Sequence, residues 1–145
     1  MTARNGSAEW RGDIKNGSGT VTVGNGVFEG AYSYGSRFGE DEGTNPEQLI
    51  AAAQAACFTM ALSSILAAAG HAPESVRTNA RVQLRYVSGA PMLARLELDT
   101  EGHVPGVDEQ QFQRYADEAK ATCPVSRALA GIPEIVLTAK LAVGL

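Results

Sequence analysis

The sequence contains no cluster of basic residues, only two cysteines, and no apolar stretch near its N-terminus. Its 12 lysines and arginines are isolated from one another, and the formal net charge is −4 at pH 7. Nucleic acids and anionic membranes bind clustered positive charge, so we expect neither as a partner. Residues 1–13 also lack the apolar core of a secretory signal. We therefore expect a cytoplasmic protein, in which a structural disulfide would be unusual.

Common cofactor and nucleophile motifs are absent as well. The chain has no G-x-G-x-x-G sequence, no Walker A sequence and no nucleophile elbow. Two cysteines and two histidines could bind zinc, but their spacing matches no compact ligand pattern. A chain of 145 residues is long enough to bury a core without cross-links, and we expect a single domain over residues 1–145.

Residues 44–71 predict one long helix with both ends marked. Asn45 is the expected N-cap, because Pro46 fits the first helical position, where no N–H is needed. A capping box opened by Thr44 is the competing start. Gly70 fits the left-handed position that ends many helices. The sequence therefore predicts the bounds of this helix to within one residue at its start.

This helix is apolar on every face, because it carries no charge between Glu47 and Gly70. Such a helix is either buried on all sides or embedded in a membrane. The helix contains nine alanines and several polar residues. Membrane insertion is therefore weakly favoured, since alanine contributes little to the free energy of insertion. We therefore expect a central buried helix. Its apolar surface exceeds what one small sheet can cover, which predicts an obligate dimer.

The rest of the chain predicts strands before and after this helix. Before it, residues 8–14 and 19–23 are strand candidates, a hairpin turn lies at 24–26, and Tyr32 and Tyr34 suggest a further strand or extended arm. Residues 36–44 are polar and predict a loop.

After the helix, residues 76–87 and 92–101 alternate in polarity as an antiparallel hairpin. A helix opened by Asp108 runs to about Thr122, a short one runs from Cys123 to Gly131, and Ile135 to Val143 form a last strand. This order is typical of an α+β domain.

Four residues are candidates for chemistry. Cys57 lies in the middle of the apolar helix, where burial raises a thiol pKa, so its activation requires a nearby cation. Arg37 is the cation closest to the helix in sequence, and Glu47 is the only carboxylate on the helix that could hold it. Cys123 precedes a proline at a helix start, a position that favours a reactive thiol. Both cysteines could equally be small buried hydrophobes. The residues alone thus support a suspected two-cysteine redox site.

Four motifs resemble the OsmC/Ohr family of organic hydroperoxide peroxidases, within it the osmotically inducible protein C branch. They are SRF at 36–38, GTNPEQLIAAAQAACFTMALS at 43–63, VPGVD at 104–108 and CPVSRAL at 123–129. The resemblance implies an intertwined homodimer with antiparallel sheets around a long, central, buried helix. It also implies a thiol-dependent peroxidase that reduces organic hydroperoxides, and more weakly hydrogen peroxide, as an antioxidant in a stress response.

The resemblance assigns the four residues their roles. Cys57 matches the peroxidatic cysteine and Cys123 the resolving cysteine that forms a disulfide with it. Arg37 matches the arginine that activates the thiolate, and Glu47 the carboxylate that holds it. No metal or organic cofactor is implied, and an external thiol, a dithiol or a lipoyl-type donor protein would supply electrons. The alternatives are a non-catalytic protein that binds a small apolar ligand, and a redox-responsive interaction protein.

Helix geometry adds one expectation about the site. Glu47 and Cys57 lie ten residues apart on one helix, so about 15 Å of helix axis and about 80° of rotation separate them. A glutamate side chain is too short to span that distance. We therefore expect Arg37 and Glu47 of one subunit to serve Cys57 of the other; an Arg37 loop that folds back within its own subunit is the competing arrangement. We expect an apolar pocket wall from Leu49, Phe58 or Met60.

Overall fold

The computed structural model describes residues 2–142 and contains, over that range, six strands and four helices. In chain order these are β1 (Gly6–Arg11), β2 (Ser18–Val23), β3 (Phe28–Tyr32), α1 (Tyr34–Phe38), α2 (Pro46–Ala68), β4 (Ser75–Val87), β5 (Ala90–His103), α3 (Glu109–Thr122), α4 (Pro124–Ala128) and β6 (Glu134–Leu141). The α+β class is confirmed. The chain divides into two compact units, with the boundary after Leu49.

The first unit is built on an antiparallel sheet of β1, β2 and β3, in that order. The strand predicted at residues 8–14 ends earlier, at Arg11, because Gly12 takes a left-handed conformation with φ of 90°. Asp13 then accepts hydrogen bonds from the N–H groups of Lys15 and Asn16, which makes a tight turn. Ile14 is exposed in that turn. Local side-chain bonds to the backbone therefore override the alternation of polarity.

Arg37 lies on a helix, α1, and the loop predicted at residues 36–44 is wrong at that point. Ser33 and Ser36 form a reciprocal capping box, with each side chain accepting from the other's backbone N–H at 3.0 and 2.8 Å. Five residues are too few to show helical periodicity, and serine at both capping positions is a weak signal. The sequence patterns consequently did not predict this helix.

The predicted ends of α2 are confirmed. The Asn45 Oδ1 accepts from the Gln48 N–H at 2.8 Å, as an N-cap does. Thr44 instead donates its hydroxyl to the carbonyl of Ala31. Gly70 has a φ of 88°, and the N–H of His71 donates to the carbonyl of Leu66 at 2.8 Å. Many helices end in this way.

The predicted burial of α2 on every side is not met within one chain. In the second unit, a single row of side chains at four-residue spacing is buried, namely Gln54, Phe58, Leu62 and Leu66. Only 22% of its most apolar 18-residue window is buried, and Met60 is 75% exposed. By length and composition alone α2 could span a membrane, but the core helix of a soluble protein meets the same criterion. Most residues of that window are therefore at least partly exposed.

The second unit carries a sheet in the order β4, β5, β6. The predicted hairpin of β4 and β5 is confirmed, and its turn at Ser88 and Gly89 has φ values of 53° and 81°. On its polar face Arg81 lies opposite Glu97, with a nitrogen-to-oxygen distance of 3.7 Å. The last strand differs from the expected antiparallel sheet, since β6 pairs parallel to β5. The intervening helices return the chain before β6 begins, which makes this pairing possible.

The core of the second unit lies between the sheet and two helices. Leu96 and Leu98 from β5 pack with α2, and Phe112 and Ala116 from α3 complete the cluster. The helix α3 begins, as predicted, at a capping box in which Asp108 accepts from the Gln111 N–H at 2.8 Å. The predicted last strand ends at Leu141, and Val143 lies outside the described residues.

Candidate active site

The two cysteines, 66 positions apart in sequence, meet in the second unit. Cys57 lies in the middle of α2 and is half-buried, whereas Cys123 is fully buried between α3 and α4. Both are free thiols, and their sulfurs share a hydrogen bond at 2.8 Å. A disulfide needs a separation of about 2.05 Å, so a small side-chain movement would join them.

The chain places Cys123 by ending one helix and starting the next at the same residue. Its N–H bonds to the Ala119 carbonyl at 2.9 Å, which closes α3. Pro124 then occupies the first position of α4, as the sequence predicts. No side-chain cap is formed by Cys123, so its sulfur is free to face Cys57.

The two thiols differ in acidity. Burial raises the pKa of the Cys57 thiol, and the hydrogen bond with Cys123 raises that pKa further, against a smaller effect of the Val125 N–H. Burial acts in the same direction on Cys123, but the Cys57 thiol and the polar groups of Ser126 and Val125 at the start of α4 outweigh it, so the pKa of Cys123 is lowered. Within this unit, the groups around the pair therefore favour the thiolate on Cys123.

Arg37 and Glu47 form a bidentate ion pair within the first unit. The guanidinium Nη2 lies 2.8 Å from Glu47 Oε1, and Nε lies 3.2 and 3.3 Å from the two carboxylate oxygens. Asn45 donates its side-chain amide to the carbonyl of Ser36 at 2.9 Å, which ties α1 to the start of α2. The Arg37 side chain is 36% exposed, so one face of its guanidinium stays accessible. A planar cation held in this way can present further N–H groups to an anion.

The structure thus brings the four predicted residues together as two pairs, one in each unit. Of the three apolar residues expected to line a pocket, Phe58 belongs to the core and Met60 is exposed, while Leu49 is half-buried.

Sequence reasoning missed two polar residues beside the thiols. Gln54, one turn before Cys57, is 1% exposed and donates its Nε2 to the hydroxyl of Ser126 at 2.7 Å. Ser126 lies in α4, three residues after Cys123. A lone glutamine on an apolar helix, close to a cysteine, was the available signal.

The α+β fold and the adjacent thiols define a class, that of small two-cysteine redox proteins. A family model described as "OsmC-like protein" matches residues 39–138. The peroxiredoxin OsmC of Escherichia coli is 46% identical over 127 residues, which cover 87% of this chain and 89% of that protein. An organic hydroperoxide resistance protein of Xanthomonas axonopodis is 34% identical over 99 residues, 67% of each chain.

Solved structures agree with these relatives. The crystal structure of an organic hydroperoxide resistance protein from Elizabethkingia anophelis superposes with a TM-score of 0.77 at 30% identity, covering 97% of this chain and 99% of that one. The OhrB protein of Bacillus subtilis superposes with a TM-score of 0.71 at 24% identity, over 95% of this chain and 98% of that chain, which supports the fold. The chain belongs to the OsmC family.

Proposed function

We propose that this protein is a thiol-dependent peroxidase that reduces organic hydroperoxides, and more weakly hydrogen peroxide, to alcohols or water. The observation that carries the proposal is the pair of free thiols whose sulfurs lie 2.8 Å apart. Relatives named as a peroxiredoxin and as organic hydroperoxide resistance proteins support the substrate class. An antioxidant role in a stress response follows from that activity.

The reaction begins at Cys57, the more accessible sulfur. Its thiolate attacks one peroxide oxygen, the O–O bond breaks, and the leaving alkoxide takes up a proton to become an alcohol. Cys57 is left as a sulfenic acid. Cys123 then attacks that sulfur and expels hydroxide, which becomes water, so that a disulfide forms before Cys57 is over-oxidised. An external thiol or dithiol, or a lipoyl-type donor protein, returns both cysteines to thiols by exchange. No prosthetic group takes part in these steps.

Arg37, held by Glu47, supplies the positive charge that stabilises the Cys57 thiolate, because no cation in the Cys57 unit does so in our proposal. Because burial and Cys123 raise the Cys57 pKa, the thiolate needs a cation beside it. Arg37 has an accessible guanidinium face, and Glu47 fixes its plane through three hydrogen bonds. The ten-residue separation of Glu47 and Cys57 on α2 favours the arginine of a second subunit.

A homodimer is therefore part of the proposal. Exposed apolar residues on α2 indicate an interaction surface. A second copy of the chain, packing its own α2 against this one, would bury them. We infer an intertwined cytoplasmic homodimer, each chain a single domain, with the two α2 helices in its centre.

The direct test is consumption of an alkyl hydroperoxide by purified protein with a dithiol present. We expect sustained turnover by the wild type and none above background by Cys57→Ser, which replaces one sulfur atom by oxygen. Disulfide formation without turnover would instead indicate a redox-responsive protein. Absence of both would support a non-catalytic ligand-binding protein.

A further inference from the structure

We infer that the hydrogen bond between Gln54 and Ser126 is a latch that holds α4 against α2, and that this latch sets how readily the Cys57–Cys123 disulfide closes. Gln54 and Ser126 are then positioning residues for the pair of thiols. The inference rests on the proposed function, because it gives them a role within the same dithiol cycle.

The latch and the thiol contact are two neighbouring links between the same two segments. Gln54 Nε2 donates to Ser126 Oγ at 2.7 Å. The sulfurs of Cys57 and Cys123 lie 2.8 Å apart. The two links are three residues apart on each segment. Residues three apart on a helix are neighbours on one face, separated by about 4.5 Å along the axis. A bond at one link therefore restricts the separation of the segments at the other.

The short helix α4 depends on its contacts with the rest of the unit. It has five residues, Pro124–Ala128, and an isolated helix of that length is unstable in water. Among residues 2–142, the bond from Gln54 is the one side-chain hydrogen bond that joins α4 to another element. Both ends of that bond are buried, with Gln54 1% and Ser126 8% exposed. Loss of the bond would therefore let α4, and Cys123 at its start, move relative to α2.

The placement of the glutamine is unfavourable for stability alone. Its neighbours along the buried row of α2 are Phe58, Leu62 and Leu66, and a leucine would suit that row better than an amide. Its Oε1 has no hydrogen-bond partner among residues 2–142. Buried polar groups that are left partly unsatisfied are exceptional and call for a reason. The bond that the amide makes across to α4, one turn from the thiols, provides that reason.

The latch affects the reaction through the position of Cys123. The cysteines are 66 positions apart, so the chain between them does little by itself to bring the sulfurs together. A segment held in place raises the effective concentration of one sulfur at the other. When Cys57 is a sulfenic acid, attack by Cys123 competes with a second peroxide that would over-oxidise it. The latch therefore favours the disulfide over the sulfinic acid, and it also makes the disulfide harder to reduce.

The first test is a redox equilibrium that needs no peroxide. Purified protein is equilibrated with mixtures of glutathione and glutathione disulfide, and the fraction of Cys57–Cys123 disulfide is read by intact mass after acid quenching and alkylation. Each disulfide formed passes two electrons to one glutathione disulfide, which gives two glutathione molecules. We expect Ser126→Ala to require a mixture about three to ten times more oxidising than the wild type, the range that one hydrogen bond contributes. A tenfold change is about 30 mV in reduction potential.

Three variants separate the latch from a general loss of stability. Ser126→Thr keeps the hydroxyl and should keep the wild-type midpoint. The double variant Gln54→Leu with Ser126→Ala removes both polar groups, leaves no unpaired amide N–H, and should fold yet show the shifted midpoint. Thr100→Val removes another buried hydroxyl, which lies 3.0 Å from the Thr78 hydroxyl, and should leave the midpoint unchanged. A wild-type midpoint in the double variant, or an equal shift in Thr100→Val, would overturn the latch.

The second test follows the fate of Cys57 after peroxide. At the same dose of an alkyl hydroperoxide, the double variant should form the disulfide roughly three to ten times more slowly than the wild type. A larger share of its Cys57 should therefore end as the sulfinic acid, measured by intact mass. Equal shares in the two proteins would contradict the latch. If the wild type itself showed no peroxide turnover, the proposed function would fail, whereas the glutathione equilibrium would still decide whether the latch exists.

Discussion

At the scale of single residues, the chemistry depends on which sulfur is ionised. The groups around the pair in one unit lower the pKa of Cys123 and raise that of Cys57. A peroxidatic Cys57 therefore needs a charge that its own surroundings do not provide. We propose that Arg37, held by three hydrogen bonds to Glu47, supplies it.

Arg37→Ala is expected to abolish most peroxide reduction near neutral pH and to recover part of it at alkaline pH. Without the guanidinium, the pKa of Cys57 stays raised, so the thiolate forms only as the pH passes that higher value. Arg37→Lys should also lose most activity, because a point charge cannot replace a planar fork. Rates of thiol alkylation against pH, in a Cys123→Ser background, measure the effect. An unchanged apparent Cys57 pKa in Arg37→Ala would remove Arg37 as its activator.

Cys123→Ser should separate attack from resolution. The first attack on peroxide persists, since Cys57 remains, but no disulfide can form within the pair. Further peroxide should then convert the sulfenic acid to a sulfinic acid. Intact mass after a stepwise excess of hydroperoxide should show a gain of about two oxygen atoms, against the disulfide in the wild type. A variant that stays at the thiol would contradict the resolving role of Cys123.

At the scale of elements, the position of Cys123 depends on α3, because the cysteine terminates that helix. The helix is anchored at its start by Asp108, which caps Gln111, and by Phe112 in the core. The cap is exposed and remote from the thiols in sequence. Its contribution should therefore be to stability and not to the reaction.

Asp108→Ala is expected to lower the free energy of unfolding by about 1 kcal/mol, because the Gln111 N–H at the helix start loses its side-chain partner. Urea denaturation followed by circular dichroism measures the change. Glu118→Ala, which removes the same charge from an exposed position of α3, is the control and should cost much less. Equal losses in both variants would show that the cap contributes nothing beyond its charge.

At the scale of the whole molecule, α2 leaves an exposed stripe that one chain does not cover. It consists of small residues around one methionine, namely Ala53, Ala56, Met60, Ser64 and Ala67. Small side chains at three- and four-residue spacing permit close packing of another helix. This stripe is where we expect the second subunit.

Sedimentation at micromolar protein is expected to give a dimer. Ser64→Arg places a charge on the stripe and should shift the protein toward the monomer, with loss of activity. Val27→Arg adds the same charge to a residue that is 86% exposed in the turn before β3, and should leave the dimer intact. A stable, active monomer of the wild type would contradict the dimer.

The assembly also predicts complementation between inactive variants. Cys57→Ser protein is mixed with Arg37→Ala protein under conditions that exchange subunits. If each site takes its cysteine from one chain and its arginine from the other, a heterodimer has one intact site and one site with both lesions. A random equimolar mixture should regain roughly a quarter of wild-type activity. Absence of recovery despite proven exchange would indicate that Arg37 acts within its own chain.

Local patterns in the sequence determined the elements whose signals lie close together along the chain. Asn45, Pro46 and Gly70 mark the ends of α2 because caps involve neighbouring backbone groups. The hairpin of β4 and β5 followed from alternation, and α3 from its capping box. The two cysteines were also readable in the sequence as a suspected redox pair, and the structure places their sulfurs together, while their separate roles stay predictions.

Only the tertiary structure decided the features that join distant parts of the chain. The parallel pairing of β6 with β5 has no local signal, since it depends on the path of two intervening helices. The contact of Gln54 with Ser126 spans 72 residues, and although a lone glutamine stands out on an apolar helix, nothing in the sequence names its partner. The uncovered face of α2 is likewise invisible in a helix that is apolar all round, because burial depends on what packs against each side.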